Sequence, residues 1–194
     1  MQRTGFEVLG SVGWSAVTLI ALVVARPVVA DPAPETHCST RAGQALLARY
    51  QSYASEVLNS PHPAAIDAYL SPEFRWHDAP PGMPDGIEPM RNLLRDLRVA
   101  FPDRKVETRF ALCADDLILV QQLLTGTNTG PLLGFPATGK SHQLLHTEIY
   151  RIVDGRITEL WGEGVIPLVL LKTGWTLVWP GDAPTSGSPA AAAP

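Results

Sequence analysis

The stretch Gly126-Thr127-Asn128-Thr129-Gly130-Pro131-Leu132-Leu133-Gly134-Phe135-Pro136-Ala137-Thr138-Gly139-Lys140 constrains this chain more than any other. It separates two strand-like runs, and it carries four glycines and two prolines. Proline fixes φ and glycine frees it, so a loop dense in both follows one defined path. A plain hairpin closes in about two to five residues. A longer ordered connection usually shapes a pocket mouth or an interface, so this one is expected as a pocket lid or a dimer contact. No P-loop is expected in it, and because no helix opens after it, its glycines are not expected to make a phosphate site.

Around the loop the elements follow a simple order. From residue 42 to 58, Leu46, Leu47, Tyr50, Tyr53, Ala54, Val57 and Leu58 recur at helical spacing and predict a long amphipathic helix. Pro61 and Pro63 interrupt it, and Ile66, Tyr69 and Leu70 mark a short second helix. Asp85 and Glu88 have the spacing of a capping box that would open a third helix through Met90, Leu93, Leu94 and Leu97. Phe101-Pro102-Asp103 stops it. Four strands are expected at 104–113, 117–127, 141–153 and 156–164, with Asp154-Gly155 as a tight turn between the last two. Three helices followed by an antiparallel sheet argue for an α+β fold with the helices packed on one sheet face. A curved sheet wrapped around a helix leaves a deep cavity.

A chain of 194 residues suits one domain with a substantial core. The formal net charge of -4 offers no footprint for nucleic acid or an anionic membrane. No zinc-ligand spacing or EF-hand pattern is present, so no metal or cofactor is expected. Arg3 precedes an apolar stretch that ends in Val28-Val29-Ala30, the layout of a secretory signal peptide over residues 1–30. The same stretch approaches spanning length and reads alternatively as an uncleaved membrane anchor. Either way the domain lies outside the cytoplasm, periplasmic or secreted. A linker at 31–36 and a domain at 37–180 follow. Residues 181–194 are rich in Pro, Gly, Ser and Ala and read as a disordered tail. Cys38 and Cys113 form an even pair that suits an oxidising compartment, as a disulfide or as two free thiols.

Strand parity selects the candidate chemistry. On the third strand His142, Leu144, His146, Glu148 and Tyr150 share one face and resemble the lining of a ligand pocket. His146 and Glu148 are placed to share a proton, and a desolvated Glu148 is expected to have a raised pKa. His77, in Arg75-Trp76-His77-Asp78 before a proline-rich segment, suits general acid/base work. Its alternative role is to cap the turn. Glu163, next to Gly162, is the third candidate acid/base if the glycine marks a β-bulge. Trp76, Gln121, His146, Tyr150 and Trp161 complete the set as substrate-binding residues.

The glycine loop, Ala100-Phe101-Pro102-Asp103 and Tyr150-Arg151-Ile152-Val153-Asp154-Gly155-Arg156-Ile157 stand in the order seen in SnoaL-like polyketide cyclases, the ester cyclases. Over roughly residues 40 to 172 the chain resembles that family. It belongs to the cone-shaped α+β superfamily of nuclear transport factor two and scytalone dehydratase. The resemblance implies cofactor-independent aldol ring closure driven by an Asp acting as general acid/base. That Asp falls on Gly162 here, and the His that assists it falls on Glu148. Asn128 stands where His is common, and Ala137 where Pro is common. The expected function is therefore an exported cyclase, hydratase or isomerase acting on a small apolar carbonyl compound, and a homodimer. The alternative is a non-catalytic small-molecule binding domain of the same fold.

Overall fold

The computed structural model describes residues 33–60, 65–79, 82–162 and 165–176. The expected export segment, the tail and Glu163 lie outside the described residues. Among those residues no helix is long and apolar enough to cross a membrane, and no cluster of three or more His, Cys, Asp or Glu side chains is placed to hold a metal ion.

Four long strands form an antiparallel meander: β3 (Lys105–Ala114), β4 (Leu117–Thr127), β5 (Ser141–Val153) and β6 (Arg156–Trp161). Two edge strands escape the sequence reading. β1 (Glu35–His37) pairs parallel with β3, and β2 (Leu70–Trp76) pairs parallel with β6. The sheet order is β1-β3-β4-β5-β6-β2. Part of the expected linker is thus sheet edge. A strand as short as β1 shows no alternation, and Pro72 hides β2, because proline is tolerated only where no ladder bond is needed.

On the helical side, Thr40 caps α1 (Arg41–Tyr53), its Oγ1 accepting the Gly43 N–H at 3.0 Å. The chain continues through a π-helical turn, Ala54–Leu58, so the expected single helix is two kinds of helix in series. Then come α2 (Ile66–Tyr69), α3 (Ile87–Ala100) and α4 (Val165–Lys172). The expected capping box on α3 does not form. Gly86 (φ 111°) precedes the helix, and Asp85 Oδ1 instead accepts the Trp76 N–H at 3.3 Å. The fourth helix, α4, is apolar on most sides, which erases the periodicity that reveals a helix.

All four tyrosines meet in one buried cluster. The ring centroids of Tyr150 lie 5.3 Å from Tyr50 and 5.9 Å from Tyr53, and Tyr53 lies 5.8 Å from Tyr69. Cys38 and Cys113 are bonded, which pins the chain between β1 and α1 to β3. At the β5–β6 turn Asp154 and Gly155 both take positive φ, 51° and 73°, as a tight hairpin of this kind requires.

The glycine loop is tied to the end of α3 and lines no part of the interior cavity. Thr129 N and Gly130 N donate to Ala100 O, and a Cβ on Gly130 would stand 2.3 Å from Val99 O, so only glycine fits. Asn128 spans the loop, its Oδ1 accepting from Thr138 N at 2.9 Å and its Nδ2 donating to Gly130 O at 2.8 Å. Gly134 to Ser141 does spell the spacing of a phosphate loop, Gly-x-x-x-x-Gly-Lys-Ser. Ser141 opens strand β5 there, so no helix N-terminus faces those glycines.

Candidate active site

On β4 and β5 the even-numbered residues face inward. Ile118, Val120, Gln122, Leu124, His142, Leu144, His146 and Tyr150 are buried, while the odd-numbered residues look outward. Between this face and the helices lies a small cavity. Its walls are mostly apolar: Met90, Leu93, Leu94 and Leu97 from α3, and Val165, Ile166 and Val169 from α4. Glu148, Gln122, Tyr150, Tyr53, His142, Trp76 and Arg104 supply the polar atoms. A few polar groups in an apolar hollow fit the usual form of a small-molecule site.

Glu148 is the centre of that polar set. Gln122 Nε2 donates to its Oε2 at 2.5 Å, and Tyr150 Oη donates to the same oxygen. The other oxygen, Oε1, lies 3.3 Å from His146 Nε2. Burial alone would raise the Glu148 carboxyl, but the neighbouring His146 and the hydrogen bonds from Tyr150 and Gln122 outweigh it and hold it below the ordinary carboxylate value. The raised pKa expected for Glu148 is therefore reversed. Strand parity reveals that Glu148 is desolvated but not which donors face it.

Other expected site residues divide between the two faces of the sheet. Trp76 lines the cavity, and its indole Nε1 has no hydrogen-bond partner among the described residues. Gln121 does not line it; it sits on the outer face opposite Thr147, and its neighbour Gln122 holds the inward position. A parity count along β4 would have found Gln122.

His77 and Trp161 are absent from the cavity wall as well. Their rings stack at 4.5 Å with an interplanar angle of 1°. His77 Nε2 lies 2.7 Å from Glu159 Oε2, Arg151 Nε lies 2.8 Å from Glu159 Oε1, and Arg151 Nη1 donates to Asp116 Oδ2 at 2.8 Å. This polar chain lies away from Glu148, because residues 151, 159 and 161 point to the opposite side of the sheet. An open outer groove runs beside it, bordered by Asp78, His146, Arg151, Trp161 and Gly162, so His146 lies on this groove and not on the interior cavity wall. His77 and Glu148 therefore share no site.

Gly162 ends β6 against Glu148. An added Cβ there would stand 2.9 Å from Glu148 Cγ, 3.3 Å from its Oε1 and 3.4 Å from His146 Nε2. The missing side chain is the space that the carboxylate fills. Arg104, which no sequence signal singled out, enters the same cavity from the turn before β3.

Residues 48–164 match the family of SnoaL-like polyketide cyclases. The chain belongs to that family. Solved structures agree on the fold. TsrD from Streptomyces laurentii is 24% identical over 69% of this chain and 95% of its own, with a TM-score of 0.55. A protein from a Jannaschia species named as a SnoaL-like polyketide cyclase is 20% identical over 69% of this chain and 94% of its own, with a TM-score of 0.58. One from Bacillus cereus named as a polyketide cyclase is 19% identical over 74% and 93%, with a TM-score of 0.59. No curated protein matches the chain. Gly162, the position where the resemblance leads to the expectation of an Asp, follows β6, and the Glu148 carboxylate from β5 lies in the space beside it.

Proposed function

We propose that this SnoaL-like protein is an exported, cofactor-independent enzyme that uses Glu148 as a base on a small apolar carbonyl compound. Ring closure of the aldol type and isomerisation both begin with loss of a proton α to a carbonyl. The observation that carries the reading is the Glu148 carboxylate in a mostly apolar cavity wall. Its Oε2 is held by Gln122 and Tyr150, and His146 Nε2 lies 3.3 Å from its Oε1. An ionised carboxylate with one oxygen fixed and the other less engaged can accept a proton at neutral pH. Tyr150 and Gln122 position it.

The disulfide between Cys38 and Cys113 supports export, since such bonds persist in oxidising compartments. A homodimer through the outer sheet face is supported by an apolar row across four strands, Leu112, Leu119, Ile149 and Trp161, each paired with the next. The test of the enzyme reading is α-proton exchange of small ketones in heavy water, followed by NMR. Glu148→Gln should slow exchange by about 100-fold or more. An unchanged rate removes Glu148 from the mechanism.

A second reading is a non-catalytic binding domain, favoured by the same donors. By holding Glu148 below the ordinary carboxylate value they make it a weaker base. Ligand binding without exchange for any ketone would select it.

A further inference from the structure

Among the described residues Arg104 is the one Arg or Lys that lines the cavity, and no salt bridge joins it to a carboxylate there. Its Nη1 donates to Leu58 O at 2.7 Å, at the end of the π-helical turn. The same carbonyl accepts from Arg98 Nη2 at 2.6 Å, and Arg98 Nη1 donates to Arg104 O at 3.4 Å. Among the described residues no Asp or Glu makes an ion pair with Arg104. Leu58 O is the acceptor for its guanidinium there, which leaves further N–H donors in the cavity wall. Tyr53, Tyr150, His142 and Glu148 line the same cavity.

A buried guanidinium with donors to spare is costly unless something with negative charge meets it. Glu148 stands in the same wall, but its oxygens are served by Gln122, Tyr150 and His146. The cavity wall thus holds one base and one cation that share no hydrogen bond among the described residues, with apolar side chains around both.

We propose that Arg104 is the oxyanion-binding residue of this site, receiving the enolate oxygen formed when Glu148 removes a proton α to a ketone carbonyl. This rests on Glu148 being the base. In the step the Cα–H bond breaks and the proton goes to a Glu148 carboxylate oxygen. The C–H electron pair becomes the new C=C bond, and the carbonyl π pair moves onto oxygen beside Arg104. One negative charge leaves Glu148 and one appears on the substrate, so the net charge of the cavity is constant. A preformed cation aimed at developing charge in a dry site is among the strongest catalytic devices available. The substrate class that follows is a small apolar ketone with an α-hydrogen, without a charged group of its own. Burial and Arg98 lower the Arg104 pKa to about 10, with Glu148 opposing them, so the guanidinium stays charged at neutral pH.

The test uses 4-nitrophenol as an enolate mimic, in the full-length Glu148→Gln protein, whose neutral amide stands in for the protonated base. Phenolate absorbance against pH gives the pKa of the bound phenol. Binding should favour phenolate over phenol by roughly tenfold or more, and adding Arg104→Gln should remove that preference. Arg104→Lys should keep part of it, because the charge remains but the planar fork is lost. Phenolate selectivity that survives Arg104→Gln overturns the proposal, as does equal affinity for both forms. If Glu148→Gln does not fold, the wild-type protein and its Arg104→Gln variant are compared directly, and Arg104 must still account for the preference. Selectivity that depends on Arg104 supports the oxyanion site even where no ketone exchanges, so failure of the enzyme reading is separately visible.

Discussion

The Cβ that Gly162 lacks would stand 2.9 Å from Cγ of Glu148, a distance at which one of the two must move. Cγ is not a free end, because its carboxylate is held by Gln122 and Tyr150. Gly162→Ala should therefore destabilise the protein by about 1–3 kcal/mol through overpacking, and weaken any activity that needs the carboxylate in place. The check is a double-mutant cycle by urea unfolding. In a Glu148→Ala background the same Gly162 change should cost little, because the space is then open. An additive cycle would show that the two residues do not share this space.

Acid stability should depend on the same carboxylate. Its native pKa lies below the ordinary value, so the unfolded chain binds the proton more readily than the folded one. The stability it contributes is fully present above the unfolded pKa, about 4.3 for a free Glu, and is lost as pH falls through the lower native value. Urea midpoints from about pH 6 down to about pH 3 should fall less steeply in Glu148→Gln than in wild type. Parallel curves would mean that Glu148 has no such linkage.

Much of this arrangement was legible beforehand. The four long strands and the shared face of His142, His146, Glu148 and Tyr150 follow from period-two alternation, which a half-buried strand must show. Hidden from the sequence were the edge strands β1 and β2, too short or too interrupted to alternate, and α4, apolar on too many sides. His77 was misplaced for a different reason. A histidine beside a proline-rich segment has a chemical type but no direction until its strand is paired, and pairing β2 with β6 turned it to Glu159 and Trp161. Arg104 gives no signal at all, since a turn arginine is ordinarily solvated and only the third dimension closes a cavity over it.

The disulfide should matter more to stability than its place at the sheet edge suggests. It closes a loop with a sequence separation of 75 and holds the chain beside the three-residue strand β1. In the chain-entropy account such a loop contributes about 4 kcal/mol. The double replacement Cys38→Ser with Cys113→Ser should lower the urea midpoint by an amount equivalent to about 2–4 kcal/mol. Amide exchange should rise first at residues 35–37, whose pairing with β3 loses its anchor. Equal exchange with and without the bond would show that β1 pairing needs no anchor.

Leu145 is 53% exposed on the outer sheet face, paired with Leu123. If a second copy covers that face, a charge there must be buried unpaired on association, twice over by symmetry. Sedimentation should show wild type at twice the chain mass and Leu145→Glu at the mass of one chain, with unchanged far-ultraviolet circular dichroism. A wild-type protein that sediments as a single chain at tens of micromolar, roughly the range where standard interfaces persist, would end the dimer reading.

The tyrosine cluster makes the alkaline behaviour just as specific. Tyr50, Tyr53 and Tyr150 are driven above the ordinary phenol value by burial first and then by the nearby Glu148 carboxylate. A phenol that ionises less readily in the fold than in the unfolded chain contributes stability that is complete below about pH 10 and is lost as pH climbs past it. Tyrosinate absorbance should therefore not rise along an ordinary titration curve for these three rings. It should appear in one cooperative step that coincides with loss of the circular dichroism of the fold, because the cluster ionises only by opening. In Glu148→Gln that step should move to higher pH if the variant is otherwise as stable, since one source of repulsion is gone. Three phenols titrating near pH 10 in a protein that remains folded would show that the cluster is open to water, and with it the cavity wall that Tyr53 and Tyr150 share with Glu148.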